Sequence, residues 1–337
     1  MQKLRGFTLV ELMVAMLLGL IVIAGVVSVF LAGQQTYRTN DALGDVQESS
    51  RIAFELMARD IRDAGLSGCD NSSGRIANDL NNTSLWYADW GDALYGYDDA
   101  TQDPALNAYT GTSAGAPVAG TSSIRTISTA SSNVVVSFTP ASSSSTGSPA
   151  NFQINAATSD LSTGQLIMVC DFDHATIMQI TDYQNNTVVI HNTGNKVSPG
   201  NCTDGLGYPP LCTANGNKYT FQSNARVAVL TGDDWYIGYN SATPQTTSLY
   251  RMSVGYNSGG VTTTPEEMVR NVTAMKVTYL QPPNTTFVTA ANVTDWATVT
   301  AAQVQLTVQS TNQRAGTDQK PLQRVFTFTT TVRNRVQ

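Results

Sequence analysis

The sequence predicts an α+β fold in which a long N-terminal helical spine packs on an antiparallel β-sheet. Residues 7–33 form an apolar run whose single charge is Glu11, and residues 34–64 continue it without a proline. From residue 164 onward, short runs of β-branched and aromatic residues are punctuated by turn residues. A helix and a sheet that each have one apolar face bury those faces against each other.

The apolar run is long enough to cross a bilayer as a helix, since about 20 residues suffice. Lys3 and Arg5 precede it, which predicts a single pass with the N-terminus in the cytoplasm. The run exceeds the apolar core of a cleaved secretory signal and no A-x-A site follows it, so an uncleaved anchor is the simpler interpretation. A carboxylate inside such a run costs about 2.5–3.5 kcal/mol, and Glu11 therefore marks a function.

Residues 34–64 carry an apolar stripe at helical spacing, which predicts one helix over residues 7–64 that ends at Gly65. A second face steps by four residues with alternating charge, which predicts an exposed ladder of ion pairs. The stripe comprises Leu43, Val46, Ala53, Met57, Ile61 and Ala64, and the ladder comprises Arg51, Glu55, Arg59 and Asp63.

Seven short runs and three long ones predict the strands. In the long run 301–310, Val304, Leu306 and Val308 alternate with polar residues, as expected for a strand with one buried face. Asp233 and Asp234 indicate a turn between two short runs. The short runs cover residues 164–172, 174–183, 186–192, 218–222, 225–232, 234–240 and 248–254, and the other long runs cover 268–281 and 324–334.

Residues 70–160 are the least regular part of the chain. Aromatic residues cluster there among Asp, Gly and Asn, and the serine-rich stretch 141–151 predicts an exposed loop. The aromatic cluster is compatible with a contact surface, but packing against the sheet is the commoner role of such residues. The cluster comprises Trp86, Tyr87, Trp90, Tyr95 and Tyr97.

Composition and motifs argue against several classes of function. Charged residues are only 13% of the chain and the net charge is −6, so nucleic-acid binding gains no electrostatic support beyond the hint of a basic strip at Arg333 and Arg335. The sequence has no P-loop, dinucleotide fingerprint or G-x-S-x-G motif. His174 and His191 lie in strand-like runs, and we interpret both as structural. Asp171 and Asp173, which flank a strand edge, are interpreted as solvated acids and not as metal ligands. We therefore expect no enzyme, no metal site and no cofactor.

The four cysteines form an even set in a chain whose bulk is expected to lie outside the inner face of the membrane. This predicts two disulfides with three alternative connectivities. No C-x-x-C pair is present, which argues against a structural zinc or redox site. The cysteines are Cys69, Cys170, Cys202 and Cys212.

The stretch GFTLVE, Gly6 through Glu11, followed by the apolar run, resembles the class III signal of type IV prepilins. The resemblance implies that a prepilin peptidase cuts between Gly6 and Phe7 and methylates the new amino group of Phe7. It also implies that Glu11 pairs with the terminal amine of a neighbouring subunit inside the filament. Two buried charges offset each other when paired, and the pairing favours one axial register.

Other stretches resemble the PilW type of minor pilin. Of the three connectivities, we expect the one in which one disulfide ties the helix end to the sheet and the other closes a short loop through GLGYPPL, whose prolines and glycines suit a tight turn. These are Cys69–Cys170 and Cys202–Cys212. The similar stretches are SRIAFELMARDIRDAGLSGC at 50–69, VCDFDHATIMQIT at 169–181, MVRNVTAMKVTYLQ at 268–281, the Trp296–Val308 pattern and FTFTTTVRNR at 326–335.

The chain also departs from the pattern of major pilins. Many of these have a proline inside the membrane helix, and Ser28 stands near that position here. The helix is therefore expected to stay straighter, or to melt at Gly19 or Gly25. The chain is larger than a typical major pilin, which favours a minor subunit.

The leading hypothesis is a minor pilin that helps to prime assembly of a type IV pilus at or near its tip, first in the inner membrane and then in the extracellular filament. Its expected partners are prepilin peptidase, other minor and major pilins through the N-terminal helix, and a tip adhesin; nucleic acid is not expected. The alternatives are a J-type minor pseudopilin of a type II secretion system, or a filament-borne adhesin or receptor module. The implied organisation is a leader at 1–6, a membrane and assembly segment at 7–33, an amphipathic segment at 34–65, and a β-rich periplasmic or extracellular domain at 66–337 with a variable region at 70–160.

Overall fold

The computed structural model describes residues 8–69, 74–139, 150–243 and 245–335. One helix of 55 residues, α1 (Leu9–Asp63), leads into a β-rich domain. The helix ends where the sequence predicts, because Ala64 caps it and Gly65 follows in the left-handed conformation at φ +73°. Most of the serine-rich stretch, residues 140–149, lies outside the described residues.

Fourteen strands and six short 3₁₀ turns lie in the described part of the domain. The strands are β1 (Ile76–Asn78), β2 (Leu94–Tyr97), β3 (Ser123–Phe138), β4 (Asn151–Ile154), β5 (Leu166–Cys170), β6 (Ala175–Gln179), β7 (Asp182–Gln184), β8 (Val188–Ile190), β9 (Arg226–Tyr239), β10 (Thr247–Asn257), β11 (Gly260–Arg270), β12 (Val272–Leu280), β13 (Ala301–Gln309) and β14 (Gln323–Thr331). The 3₁₀ turns are Trp90–Asp92, Ala100–Gln102, Pro104–Leu106, Ala290–Asn292, Trp296–Thr298 and Arg333–Arg335.

The strands form two sheets. The larger one is built around β9, which pairs antiparallel with β3, β5 and β10. The smaller one has the order β12-β13-β14 and is wholly antiparallel. One pair in the larger sheet, β1 with β6, is parallel. The α+β prediction is confirmed, with a mixed rather than a purely antiparallel larger sheet.

The second half of α1 packs on the smaller sheet and on the adjoining strands of the larger one. The predicted stripe is buried from Val46 to Ala64, whereas Leu43 is only half-buried and Ala42 is buried beside it. On the sheet side, the predicted inward residues of β13, Val304, Leu306 and Val308, are fully buried in the same cluster. This is the packing that the two periodicities predict.

The turn predicted at Asp233 and Asp234 is wrong. Both residues lie in the middle of β9, which joins the runs 225–232 and 234–240 into one strand paired on both sides. Asp233 accepts a hydrogen bond from Ser253 Oγ on the neighbouring strand at 2.7 Å. Pairing with two neighbouring strands therefore overrides the low strand propensity of Asp at these two positions.

Two other strand predictions need correction. The run 268–281 is divided between β11 and β12, because Asn271 adopts the left-handed conformation at φ +60°. The run 218–222 is not a strand. Its rings pack instead on a buried histidine, with the centroids of Tyr219 and Phe221 at 4.4 and 5.5 Å from that of His174.

The aromatic cluster of the irregular region has the packing role that the sequence analysis favours. Trp86 is buried, and its ring meets that of Tyr87 edge-on at 5.6 Å. Tyr95 lies 4.5 Å from the ring of Trp296, and the guanidinium of Arg125 lies 4.5 Å from the Tyr95 ring. These rings hold the irregular region to both sheets.

Candidate assembly segment

The first half of α1 is an apolar surface that the domain does not cover. From Leu9 to Leu31 every large apolar side chain is exposed, by 48–75%. The most apolar stretch of this helix has a mean hydropathy of 2.9, so its length and composition suffice to cross a membrane. An apolar surface of this size needs lipid or another apolar helix as its partner.

Glu11 closes a capping box at the start of α1. Its carboxylate accepts hydrogen bonds from the backbone N–H of Thr8 at 3.0 Å and from Thr8 Oγ1 at 2.9 Å. In return, the Glu11 N–H donates to Thr8 Oγ1 at 3.3 Å. The charge is therefore drawn toward the first residues of the chain. Gly6 and Phe7, the predicted cleavage and methylation residues, lie outside the described residues.

The membrane half of α1 is helical without interruption. Gly19 and Gly25 both lie within the helix, which contradicts the alternative that the chain melts at one of them. Ser28 stands near the position expected for the proline of many major pilins, and its Oγ donates to the backbone oxygen of Ala24 at 2.8 Å. A serine bonded in this way stays compatible with the helix, because its own backbone N–H is kept.

Two polar side chains of α1 bind a loop at the point where the helix meets the domain. The Gln35 amide donates to the backbone oxygens of Ala315 and Gly316 at 3.0 and 3.1 Å. One turn later, Thr39 Oγ1 donates to the Ala315 oxygen at 2.6 Å. The loop between β13 and β14 therefore contacts α1 from Gln35 onward, the first residue of the helix that is not fully exposed.

An aromatic contact links the buried half of α1 to the edge of the smaller sheet. The ring centroid of Phe54 lies 4.2 Å from that of Phe328 and 6.4 Å from that of Phe326. The predicted charge ladder forms beside it only in part. Arg51 pairs with Glu55 at 2.8 Å, whereas Arg59 lies nearest to its neighbour Asp60.

Asp60 is a helix residue whose role sequence reasoning missed. It is 9% exposed, and its Oδ2 accepts a hydrogen bond from the indole nitrogen of Trp235 in β9 at 3.0 Å. Burial, followed by the nearby charge of Asp233, raises the pKa of Asp60. The sequence did contain an indication of this role, because Asp60 lies three residues after Met57 and therefore on the apolar stripe of the helix.

Both disulfides have the pairing that the sequence analysis expects. Cys69, five residues beyond the cap of α1, is bonded to Cys170 at the end of β5. Cys202 is bonded to Cys212 and closes a loop of the larger sheet. The first bond therefore fixes the end of the helix to the sheet, and the second only shapes a loop.

The acids around His174 belong to a hydrogen-bonded network. Asp171 accepts from the hydroxyl of Tyr219 at 2.7 Å, and Asp173 pairs with Arg75 at 2.9 Å. His174 is fully buried between Asp173 and the backbone oxygen of Leu206. Over the part of the chain that the structure describes, no group of three or more His, Cys, Asp or Glu side chains is arranged to hold a metal ion.

The hint of a basic strip at the C-terminus is wrong for one of its two residues. The guanidinium of Arg335 is directed inward, where it donates to the backbone oxygen of Trp296 and, at 3.3 Å, to that of Val299. Burial lowers the pKa of Arg335. This residue anchors the chain end to the domain instead of forming a surface charge.

Comparison with known families matches both ends of the chain. Residues 1–27 match the family described as the prokaryotic N-terminal methylation motif. Residues 234–334 match the family described as type IV pilus-assembly protein W. The second match begins within β9 and includes β10 to β14, so it covers the smaller sheet on which α1 packs. Comparison with curated proteins finds no match, and comparison with solved structures finds none.

Proposed function

We propose that this chain, a minor pilin of the PilW type, helps to prime assembly of a type IV pilus and lies at or near the tip of the filament. The observation that carries the proposal is the division of α1 into two halves. The half that lies largely within the matched methylation motif, residues 1–27, has no cover, and the half that faces the PilW-matched strands is buried along one face. An uncovered apolar half suits the membrane before assembly and a bundle of pilin helices afterwards.

Processing would convert the anchored precursor into an assembly subunit. In the proposal, prepilin peptidase cleaves between Gly6 and Phe7, and the amino group of Phe7 is methylated. Gly6 suits this reaction because a residue without a side chain lets the backbone enter the peptidase site. The new terminus then precedes Thr8 by one residue, and the backbone N–H of Thr8 donates to the carboxylate of Glu11.

Glu11 would set the axial register of the subunit. Its carboxylate is drawn toward the N-terminal end of the helix by Thr8. In a bundle of apolar helices, the terminal amine of a neighbouring subunit is the natural partner for this charge. Because an unpaired charge in such a core is costly, the offset that pairs the two groups is favoured over others.

Mass spectrometry of the mature chain tests this proposal. We expect an N-methylated Phe7 in the membrane fraction and in sheared pili of the native host. A variant with a bulky residue, Gly6→Leu, should remain as the full-length precursor in the membrane. An intact Met1 in the unmodified chain, or cleavage near Gly33, would remove the pilin assignment.

The PilW match favours a pilus over the alternative of a J-type pseudopilin in a type II secretion system. The two functions differ in what is lost when the gene is deleted. A pilus subunit should change the number of surface pili and leave secretion of exoproteins unaffected. Loss of exoprotein secretion with a normal pilus count would favour the pseudopilin.

A further inference from the structure

Among the residues that the structure describes, no strand pairs with the outer edge of β14. Two backbone bonds flank β14 at its two ends: Ser310 N–H donates to Leu322 O, and Val332 N–H donates to Thr300 O. Because bonded residues alternate along an antiparallel pair, the even-numbered residues of β14 bond to β13. The residues between them direct their N–H and C=O groups away from the sheet. Four of these outward residues have no backbone hydrogen bond to any described residue: Val325, Thr327, Thr329 and Thr331.

The opposite edge of the same sheet is covered. On β12, the backbone oxygen of Met275 accepts from Ser122 N–H at 2.9 Å, and the Val277 N–H donates to Ser122 Oγ at 3.2 Å. Tyr279 exchanges two backbone hydrogen bonds with Val288, at 2.8 and 2.9 Å. The fold therefore closes one edge of this sheet and leaves the other open.

Other edge strands of the domain are protected in ways that β14 is not. β1 and β7 are only three residues long. β11 is as long as β10 but contains Pro265 and the charged residues Glu266 and Glu267. β14 has nine residues, no proline, and β-branched side chains at all four outward positions named above. Its one charged residue, Arg324, stands near its start, and the stretch Val325–Thr331 has neither a charge nor a proline. A long edge of this kind is a template for pairing with another chain.

We propose that the outer edge of β14 binds an extended segment of a neighbouring pilin subunit, which adds a strand to the sheet. This inference rests on the proposed function and names a contact surface for it. An added strand would direct alternate side chains toward Phe326 and Phe328, which are half-buried against Phe54 of α1. Those side chains should be apolar. On the opposite face the added strand would lie beside Val325, Thr327 and Thr329.

The smaller sheet of a second copy does not fit the edge. Two β14 strands paired antiparallel would be related by a two-fold axis normal to the sheet. Because α1 packs across this sheet, the axis would turn one helix by about 180° relative to the other. Their apolar halves would then point in opposite directions and could not enter one membrane or one helical bundle together. The other edge of the sheet is covered, so a copy cannot supply that edge either.

Proline at position 327 tests the edge. In Thr327→Pro the ring replaces an N–H that has no partner among the described residues of the subunit, so the fold should be kept. The same ring removes a donor and blocks an incoming strand. We expect the amount in sheared pili, relative to the membrane fraction, to fall about fivefold, equivalent to the loss of one net backbone hydrogen bond. The matched variant Thr327→Ala keeps the N–H and should enter pili at the level of the unmodified chain.

Two outcomes overturn the inference and are distinguishable. If Thr327→Pro folds, with both disulfides formed and an unchanged melting temperature, yet enters pili as well as Thr327→Ala, the edge is not a contact. If the unmodified chain is absent from sheared pili, the proposed function fails together with the inference.

Photo-crosslinking gives a second readout that does not depend on the proline variant. Benzoylphenylalanine at Thr329, on the open edge, should crosslink to another pilin in intact filaments, identified by mass spectrometry of the product. The matched position is Gln305, which faces the same side from the middle strand. A pilin crosslink from Gln305 but none from Thr329 would contradict strand addition at the edge.

Discussion

The carboxylate of Asp60, in the last turn of α1, accepts a hydrogen bond from the indole nitrogen of Trp235 in β9 at 3.0 Å. The contact ties the helix to the centre of the larger sheet. Arg251 adds to it, because its guanidinium lies 5.9 Å from the Trp235 ring and 3.6 Å from Asp233. A buried acid, an indole and a cation therefore fix the helix end on the sheet.

Replacing Asp60 by alanine should destabilise the domain. The change leaves the buried indole N–H of Trp235 without an acceptor, at a cost of about 1–3 kcal/mol. Urea unfolding of the detergent-solubilised full chain, followed by tryptophan fluorescence, measures the loss. Glu55→Ala, at an exposed position on the same helix, is the control and should change the free energy of unfolding by a few tenths of a kcal/mol at most. Equal effects of the two variants would show that the contact contributes nothing specific.

Replacing Glu11 should separate membrane insertion from assembly. Glu11→Ala makes the span more apolar, so insertion and cleavage should continue. A neighbour's terminal amine would lose its partner, at a cost of about 3–5 kcal/mol, and the amount in sheared pili should fall by about tenfold or more. Immunoblots of pilus and membrane fractions measure the ratio.

Glu11→Gln distinguishes the charge from the helix cap. Glutamine keeps an acceptor for the Thr8 N–H and therefore keeps the capping box. If charge pairing sets the register, this variant should be depleted from pili as strongly as Glu11→Ala. If Glu11→Gln enters pili at the level of the unmodified chain, the role of Glu11 is only to cap its own helix.

The two disulfides should differ in their contribution to stability. The Cys69–Cys170 bond spans 101 residues and the Cys202–Cys212 bond spans 10. In the chain-entropy description, removing the first costs about 4–5 kcal/mol and removing the second about 3 kcal/mol. Thermal unfolding of two double variants, each with both cysteines of one disulfide replaced by serine, shows which disulfide contributes more to stability. A larger loss from the Cys202→Ser, Cys212→Ser chain would contradict it.

Asp79 should make the domain less stable as pH rises. Its side chain is fully buried. Burial raises the pKa of Asp79 to about 7; the Leu206 backbone opposes this shift in part, and the charge of Asp204 adds to it. Because the folded chain holds this proton more tightly than the unfolded chain, the stabilisation by protonation is complete below about pH 4 and is lost between about pH 4 and pH 7.

Asp79→Asn tests this dependence because the amide stays neutral at every pH. At pH 8 the variant should be more stable than the unmodified chain by up to about 4 kcal/mol, at about 1.36 kcal/mol per pKa unit. At pH 4 the difference should disappear. Urea midpoints from pH 4 to 8 measure it, with Asp160→Asn at an exposed position as the control. A difference that does not change with pH would contradict the assignment to Asp79.

Local periodicity explains which parts of the fold were predictable. The continuous helix, its end at Gly65 and the alternation of Val304, Leu306 and Val308 follow from residues a few positions apart. For the same reason the apolar run and Glu11 were identifiable as the candidate site. The turn predicted at Asp233 failed because its partner, Ser253, lies on another strand.

The sequence by itself determined a half-apolar helix, a sheet with one buried face and an N-terminal assembly signal, because each is encoded in neighbouring residues. Only the tertiary structure decided that Asp60 meets Trp235, which lies 175 residues away. It likewise decided that Ser122 and Val288 cover the edge of β12 while the edge of β14 stays open. Every residue of a strand except proline carries a backbone N–H and C=O group. The packing of distant segments determines which of these groups acquire partners.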